Sequence, residues 1–315
     1  MKEYPNGLKN HPHGLFFPEE LSKEIKSKFL NVDYDPMHGK RLFFENAGGS
    51  LRLKAVNEIY AELDSYPDCD SRHHKRAEAL RERTLKGFAD LRIMFNAPKY
   101  GQIITETSSS KVMFTMVRTI LENVKGGNCV TTEIEHPSVY DSMRYYAQKK
   151  GLEFRVAKPN PITGGVDIEA ILDLIDKDTV LLNVMYASNH TGAIMDIENI
   201  VKLAREKKPD IYILVDAVQH MPHGLVDVQK VPVDGINFAA YKTFGCRGFG
   251  VGYISDRVAR LDHPCIYGNL GDPWEIGGPA PAMLATMTAI VDYVCWIGKQ
   301  FSDEIDRRKL FEIGM

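Results

Sequence analysis

From residue 101 onward the chain alternates between two hydrophobic patterns. Short apolar runs closed by small polar residues are followed by longer stretches whose apolar side chains recur with helical spacing. The runs predict strands at residues 101–106, 128–134, 153–157, 180–187, 211–215, 235–240 and 250–255. The periodic stretches predict helices at 112–124, 138–150, 167–175 and 197–207. The run IYILV at 211–215 carries no charged residue, as a strand buried on both faces requires. About seven strands interleaved with helices predict an α/β fold: a mostly parallel sheet with helices on both faces.

The flanks follow other patterns. Residues 1–40 are rich in Pro, Gly, His and Lys, with one helical stretch at 19–29 behind Pro18, and predict an arm. RLFFENAGGS at 41–50 is a short apolar run and a Gly-rich turn ahead of a helix at 51–64, for which Ser50 is a candidate N-cap. A charged helical pattern at 75–95 is broken by Asn96-Ala97-Pro98. The apolar run at 282–297 continues into charged residues 299–309; its helical spacing and interior Asp292 predict a helix bridging two domains in preference to a membrane span. The expected division is an arm at 1–40, a large domain at 41–281, and at 282–315 the bridging helix and the start of a small domain that is incomplete.

Composition narrows the function classes. The chain has 315 residues, 44% of them hydrophobic, and 39 Lys+Arg against 42 Asp+Glu give a net charge of −3. No overall basic excess argues for a nucleic-acid partner, and the basic group at 72–76 is short. Five widely spaced cysteines form neither a disulfide framework nor a metal-binding signature. The N-terminus lacks the apolar core of a signal peptide, so a reducing cytoplasm is expected, with no membrane partner.

Candidate chemistry gathers behind the predicted strands, where open α/β sheets bind ligands. Asp216 ends the 211–215 run, with Gln219 three residues on; Lys242 follows the 235–240 run. Thr107-Ser108-Ser109-Ser110 lies between a strand and a helix, where amides, helix dipole and hydroxyls favour a dianion. His136 and Asn189 follow the strands at 128–134 and 180–187. Each has an ordinary structural role as well: an Asp in a turn, a Ser as N-cap, a Lys at the surface. An acid and a lysine converging from two strand ends are what pyridoxal phosphate needs, an amine for the Schiff base and a carboxylate to keep the pyridine nitrogen protonated. By the same position, Asp227 and Asp234 are expected to serve turns and caps.

Three segments carry a more specific signal: SNHTGAIMDI at 188–197, VDAVQHMPHGLVDVQKVPVD at 215–234, and AYKTFGCRGFGVGYI around Lys242. In them the chain resembles the class V aminotransferase family of fold-type I pyridoxal-phosphate enzymes, which includes cysteine desulfurases, selenocysteine lyases, kynureninase and isopenicillin-N-epimerase-like proteins. The resemblance extends more loosely over residues 43–290. It implies Lys242 as the Schiff-base lysine, Asp216 as pyridinium partner, and His136 on the ring face. Asn189 and Gln219 would lie at the ring 3-oxygen, and Ser108, Ser109 and Tyr241 at the phosphate. It also implies a homodimer acting on an amino acid, as a desulfurase-like C–S lyase or an aminotransferase; a kynureninase-like hydrolase, an epimerase or a non-catalytic relative are the alternatives. Two features depart from the desulfurase pattern. Alanine and tyrosine precede Lys242 where most such members carry Ser and His, and Gly278 stands in the place of a threonine that reaches the partner subunit's phosphate. The loop at 267–281 is expected to cross to the partner, with Trp274 either as an interface anchor or, as an isolated Trp is just as often, as a core residue.

Overall fold

The computed structural model describes residues 17–266, 274–277 and 280–315. The chain forms two compact units, one of residues 1–94, 241–246 and 280–315, the other of residues 95–240 and 247–279.

The first unit opens with α1 (Glu19–Ser27), a short hairpin of β1 (Tyr34–Asp35) and β2 (Gly39–Lys40), α2 (Lys54–Asp64) and α3 (Lys75–Phe95), whose last residue belongs to the second unit. The helix expected from 51 begins at Lys54, with Leu53 extended at its N-cap and bridged to Phe29. Ser50 is therefore no helix cap; its hydroxyl serves the turn after Lys242, described below. Within the expected arm, Phe29 is buried and meets Phe244 and Tyr293 edge-on, both ring centroids at 5.3 Å.

The second unit is the alternating one. It holds β3 (Gln102–Glu106), α4 (Ser109–Glu122), β4 (Asn128–Thr132), α5 (Pro137–Lys150), β5 (Glu153–Ala157), α6 (Ile168–Leu172) and β6 (Thr179–Met185). α7 (Ile197–Lys207), β7 (Tyr212–Asp216), β8 (Gly235–Ala239), β9 (Gly250–Ile254) and α8 (Asp256–Ala259) complete it. The seven strands lie in the order β3-β9-β8-β7-β6-β4-β5. β5, β4, β6, β7 and β8 run parallel, whereas β9 is antiparallel to both of its neighbours. Hydrophobic periodicity cannot reveal that reversal, because a strand pattern reads the same in either direction.

Pleating explains the burial. Cys129, Leu181 and Leu214 pack in one cluster with α4 and α5, while Val130, Leu182 and Ile213, one position along each strand, are equally buried on the opposite face. Asp234, expected to serve a turn, is instead a buried ionic tie at the start of β8. It accepts from the Ile213 amide (2.9 Å), Ser255 Oγ (3.1 Å) and Arg205 (3.1 Å), with Arg257 at 3.5 Å. A carboxylate without water has to be saturated in this way. Asp227 does cap a turn, accepting from the amides of Gln229 and Lys230.

The first unit closes with α9 (Pro281–Lys299) and α10 (Arg307–Gly314). By length and composition α9 could cross a membrane, yet 67% of its apolar window is buried against the rest of the protein. It packs on α2 and α10, and a Cβ at Gly87 of α3 would lie 2.5 Å from the carbonyl oxygen of Leu284 on α9, so the backbones touch where only glycine fits. Arg307 joins the ends of this unit, holding buried Asp90 and exposed Asp292, each at 2.7 Å.

Candidate active site

Nearly all candidate groups stand at strand ends, and the start of α4 shows how local structure places them. β3 runs into an extended Ser108, whose hydroxyl accepts from the Lys111 amide at 3.2 Å and caps α4. The capping role anticipated for one of these serines thus belongs to Ser108. Ser109, first residue of the helix, is buried; Asn237 Nδ2 of β8 lies 2.6 Å from its hydroxyl and 3.1 Å from its carbonyl oxygen. A Cβ at Gly250 would stand 2.1 Å from Ser108 C and Ser109 N, so β9 passes directly against the helix start. The opposite edge is tied by buried Glu275, which accepts from the Thr105 amide (3.0 Å) and hydroxyl (2.7 Å). The result is a helix of 14 residues whose first turn is fixed from two sides, with unpaired amides and a favourable dipole.

Behind β4 the chain turns through Glu135 and His136. His136 is half-buried and is the N-cap of α5; its Nδ1 accepts from the Ser138 amide at 3.1 Å and meets the Ser138 hydroxyl at 2.7 Å. An Nδ1 that accepts leaves Nε2 as the protonated nitrogen of the neutral ring. Glu135 is buried, with Oε1 accepting from Thr132 Oγ1 (2.7 Å) and the Met185 amide (3.0 Å), and Oε2 buried with no hydrogen-bond partner. Burial first, and the nearby Asp216 charge in addition, push its carboxyl up to about 8, against two hydrogen bonds that lower it.

Asp216 is the last residue of β7 and is buried at 5% exposure. Its Oδ1 accepts from the Val218 amide at 2.9 Å, and its carbonyl accepts from the Tyr186 amide at 2.7 Å. Gln219 is half-buried in the turn that follows. The next residue, His220, stacks on Tyr186 with centroids 3.7 Å apart and planes within 7°. Asn189 is half-buried behind β6, in a turn held by the Ser188 hydroxyl, which accepts from the His190 and Thr191 amides.

Tyr241 and Lys242 belong to the other unit, following β8 by two and three residues. Lys242 is buried and Tyr241 half-buried. Within that unit the Tyr241 carbonyl accepts from Arg52 (2.7 Å) and from Ser50, through its amide (3.1 Å) and its hydroxyl (3.2 Å). Ser50 Oγ accepts in turn from the Phe244 amide at 2.7 Å. Phe244 has φ of 65°, a left-handed backbone rare for a bulky residue.

Ser108, Ser109, His136, Asn189, Asp216 and Gln219 therefore share one unit: the last four stand at or just behind the ends of the adjacent strands β4, β6 and β7, while the two serines follow β3, with β9 and β8 between it and β7. Of the two roles open to Trp274, the structure shows the core one: it is 8% exposed, stacks on His263 at 3.9 Å and donates to the Ala259 carbonyl. Residues 267–273 and 278–279 of the expected crossing loop, Gly278 among them, lie outside the described residues. Sequence reasoning missed Glu135, Asn237 and Glu275, and gave Ser50 a helix-capping role in place of its bonds to Tyr241 and Phe244. The signal for Asn237 was present, a lone amide within the apolar run GINFAA.

A mostly parallel sheet with an anion-favouring helix start and a buried acid at a strand end defines an α/β enzyme class. The model of the class-V aminotransferases matches residues 42–278, and the chain belongs to that family. It is 35% identical over 130 residues to a cysteine desulfurase IscS of Ruthia magnifica, spanning 41% of this chain and 31% of that protein. To a probable cysteine desulfurase of Borreliella burgdorferi it is 28% identical over 264 residues, 78% of this chain and 60% of the other. The chain thus spans between about a third and three fifths of the length of these curated relatives. Its fold is that of a cysteine desulfurase from Thermococcus onnurineus, with a TM-score of 0.76 at 22% identity over 90% of this chain and 72% of the other. The Escherichia coli cysteine desulfurase CsdA superposes with a TM-score of 0.74 at 18% identity over 91% and 73%.

Proposed function

We propose that this chain is a pyridoxal-phosphate enzyme that cleaves the C–S bond of an amino acid, cysteine being the substrate named for its relatives. The observation that carries the reading is the pairing, in one unit, of a buried carboxylate, Asp216, with the anion-favouring first turn of α4. The donor set suits the cofactor's two polar ends. Ser108, Ser109 and the amides behind them present neutral donors to a dianion, and Gly250 lets β9 pack directly against that turn and hold it.

In this reading the α4 turn and the Tyr241 phenol hold the phosphate, His136 covers the ring face, and Asn189 and Gln219 serve the 3-oxygen. When bound, the cofactor supplies an electron sink for bonds at the substrate α-carbon. Asp216 keeps a negative charge at the pyridine nitrogen and so holds a proton there. The Lys242 amine is the attachment point and moves the proton at the α-carbon; His136, through Nε2–H, carries a proton to or from the departing sulfur. Chains of this family arranged as homodimers would share their sites, and the mass in solution by light scattering, with and without cofactor, checks that assembly.

Addition of pyridoxal phosphate to the purified protein should give a visible absorbance band that Lys242→Ala abolishes, with alanine formed from cysteine and, with excess dithiol added as reductant to take up the sulfur, an equal amount of sulfide. A protein that stays colourless with excess cofactor would sink the reading.

A further inference from the structure

We infer that Asn237 is a positioning residue of the anion seat, which forces the Ser109 hydroxyl to point its only hydrogen at the anion. The inference rests on reading the first turn of α4 as the phosphate seat. Asn237 is fully buried in β8, and its amide faces Ser109 at two points, the carbonyl oxygen at 3.1 Å and the hydroxyl at 2.6 Å. A peptide carbonyl only accepts, so the amide atom facing it is nitrogen. That settles the second contact: Nδ2 also donates to Ser109 Oγ, and the hydroxyl is the acceptor there. Its own hydrogen has to point away from Asn237. A serine without such a neighbour rotates freely and as readily turns a lone pair toward the anion, which repels it.

The energetic pattern supports a role beyond strand packing. Asn237 Oδ1 is buried without a hydrogen-bond partner, a desolvation cost that a valine in the same run would not carry. The neighbours also leave room for this geometry. In register, Asn237 lies between Asp216 of β7 and Gly252 of β9, so its amide ties β8, the strand beside that of the buried acid, to the helix start.

The test is a double-mutant cycle on the full chain without cofactor, with inorganic phosphate as probe: calorimetric affinity for each variant, and urea stability without phosphate. Ser109→Ala should weaken phosphate binding about tenfold, as loss of a hydrogen bond to a charged group implies. In an Asn237→Ala background the same change should cost little, because the hydroxyl is no longer aimed. Asn237→Asp should be the weakest binder, since its carboxylate turns the serine hydrogen toward itself and adds a negative charge. Should Asn237→Ala fail to fold, Asn237→Ser supplies the background. Asn237 variants that lose stability yet bind phosphate like wild type, or effects that simply add, would overturn the inference while leaving the seat intact. Wild-type protein that fails to bind phosphate would remove the seat reading and this inference with it.

Discussion

The Ser50 hydroxyl and the Phe244 amide are 2.7 Å apart although 194 positions separate them in sequence. Their bond holds a bulky residue at φ of 65°, two positions after Lys242. The turn carrying Lys242 is thereby fixed by the segment before α2, not by its own residues. Ser50→Ala leaves the Phe244 amide without its acceptor and should cost about 1–3 kcal/mol in urea unfolding. Ser50→Thr, which keeps the oxygen, should recover most of that loss; an alanine variant as stable as wild type would show that the turn holds itself.

Asp216→Asn should keep the fold and still take up cofactor, because an amide fills the same volume and its oxygen can still accept from the Val218 amide. Turnover should fall by about a hundredfold or more, the scale on which proton-holding groups act, since a neutral amide does not keep the pyridine nitrogen protonated. Near-wild-type rates of sulfide release with an unchanged absorbance spectrum would remove Asp216 from its role. Asp227→Asn, in a solvent-side turn, is the control.

Glu135 predicts a pH dependence of stability. Its carboxyl is raised from an ordinary 4.5 to about 8 by burial and by Asp216, so between those values the unfolded chain gives up a proton that the folded chain keeps. The unfolded state binds fewer protons in that window, and this group's contribution therefore declines as pH rises from about 4.5 to about 8 and is level outside it. Glu135→Gln keeps an oxygen for Thr132 and Met185 and removes the titration. Urea midpoints of the variant should fall less steeply across the window and should exceed wild type at its upper end. Parallel profiles for the two proteins would contradict the assignment.

Gly250→Ala should be among the most destabilising single-methyl changes in the chain. The added carbon would meet backbone atoms of Ser108 and Ser109 at 2.1 Å, and backbone cannot swing aside as a side chain can. A loss of about 3 kcal/mol, the upper part of the range for overpacking, is expected in denaturant unfolding, together with weakened phosphate binding. Gly192→Ala, which meets no atom within 4 Å, carries only its backbone strain. Equal losses in the two variants would disprove close contact at Gly250.

Much of the sheet was legible because each buried strand shows as an apolar run ending in polar residues. The boundaries of β4, β6 and β8 moved by two residues or fewer at most ends, and Asp216 proved to be the last residue of its strand. What the pattern could not carry was direction and partnership. The reversal of β9 leaves no trace in GVGYI, and the partners of Ser50, Glu135 and Ser109 come from distant segments. Trp274 shows the same limit: an isolated aromatic beside a Gly-rich loop looks available to a partner until His263 and Ala259 are seen to cover it.

The place of β3 at the end of the sheet, with β9 as its neighbour, sets a timetable for the growing chain. β3 and the helix start behind it are made early, yet the strand that hydrogen-bonds β3 emerges only after the six others have been synthesised, a delay on the order of ten seconds at ribosomal rates. Until then β3 is an open edge and the seat lacks its Gly250 wall. The start of α4 is thus enclosed by a closure that spans most of the unit's sequence, late and slow by its topology, and a chain halted before residue 250 has a sheet without it.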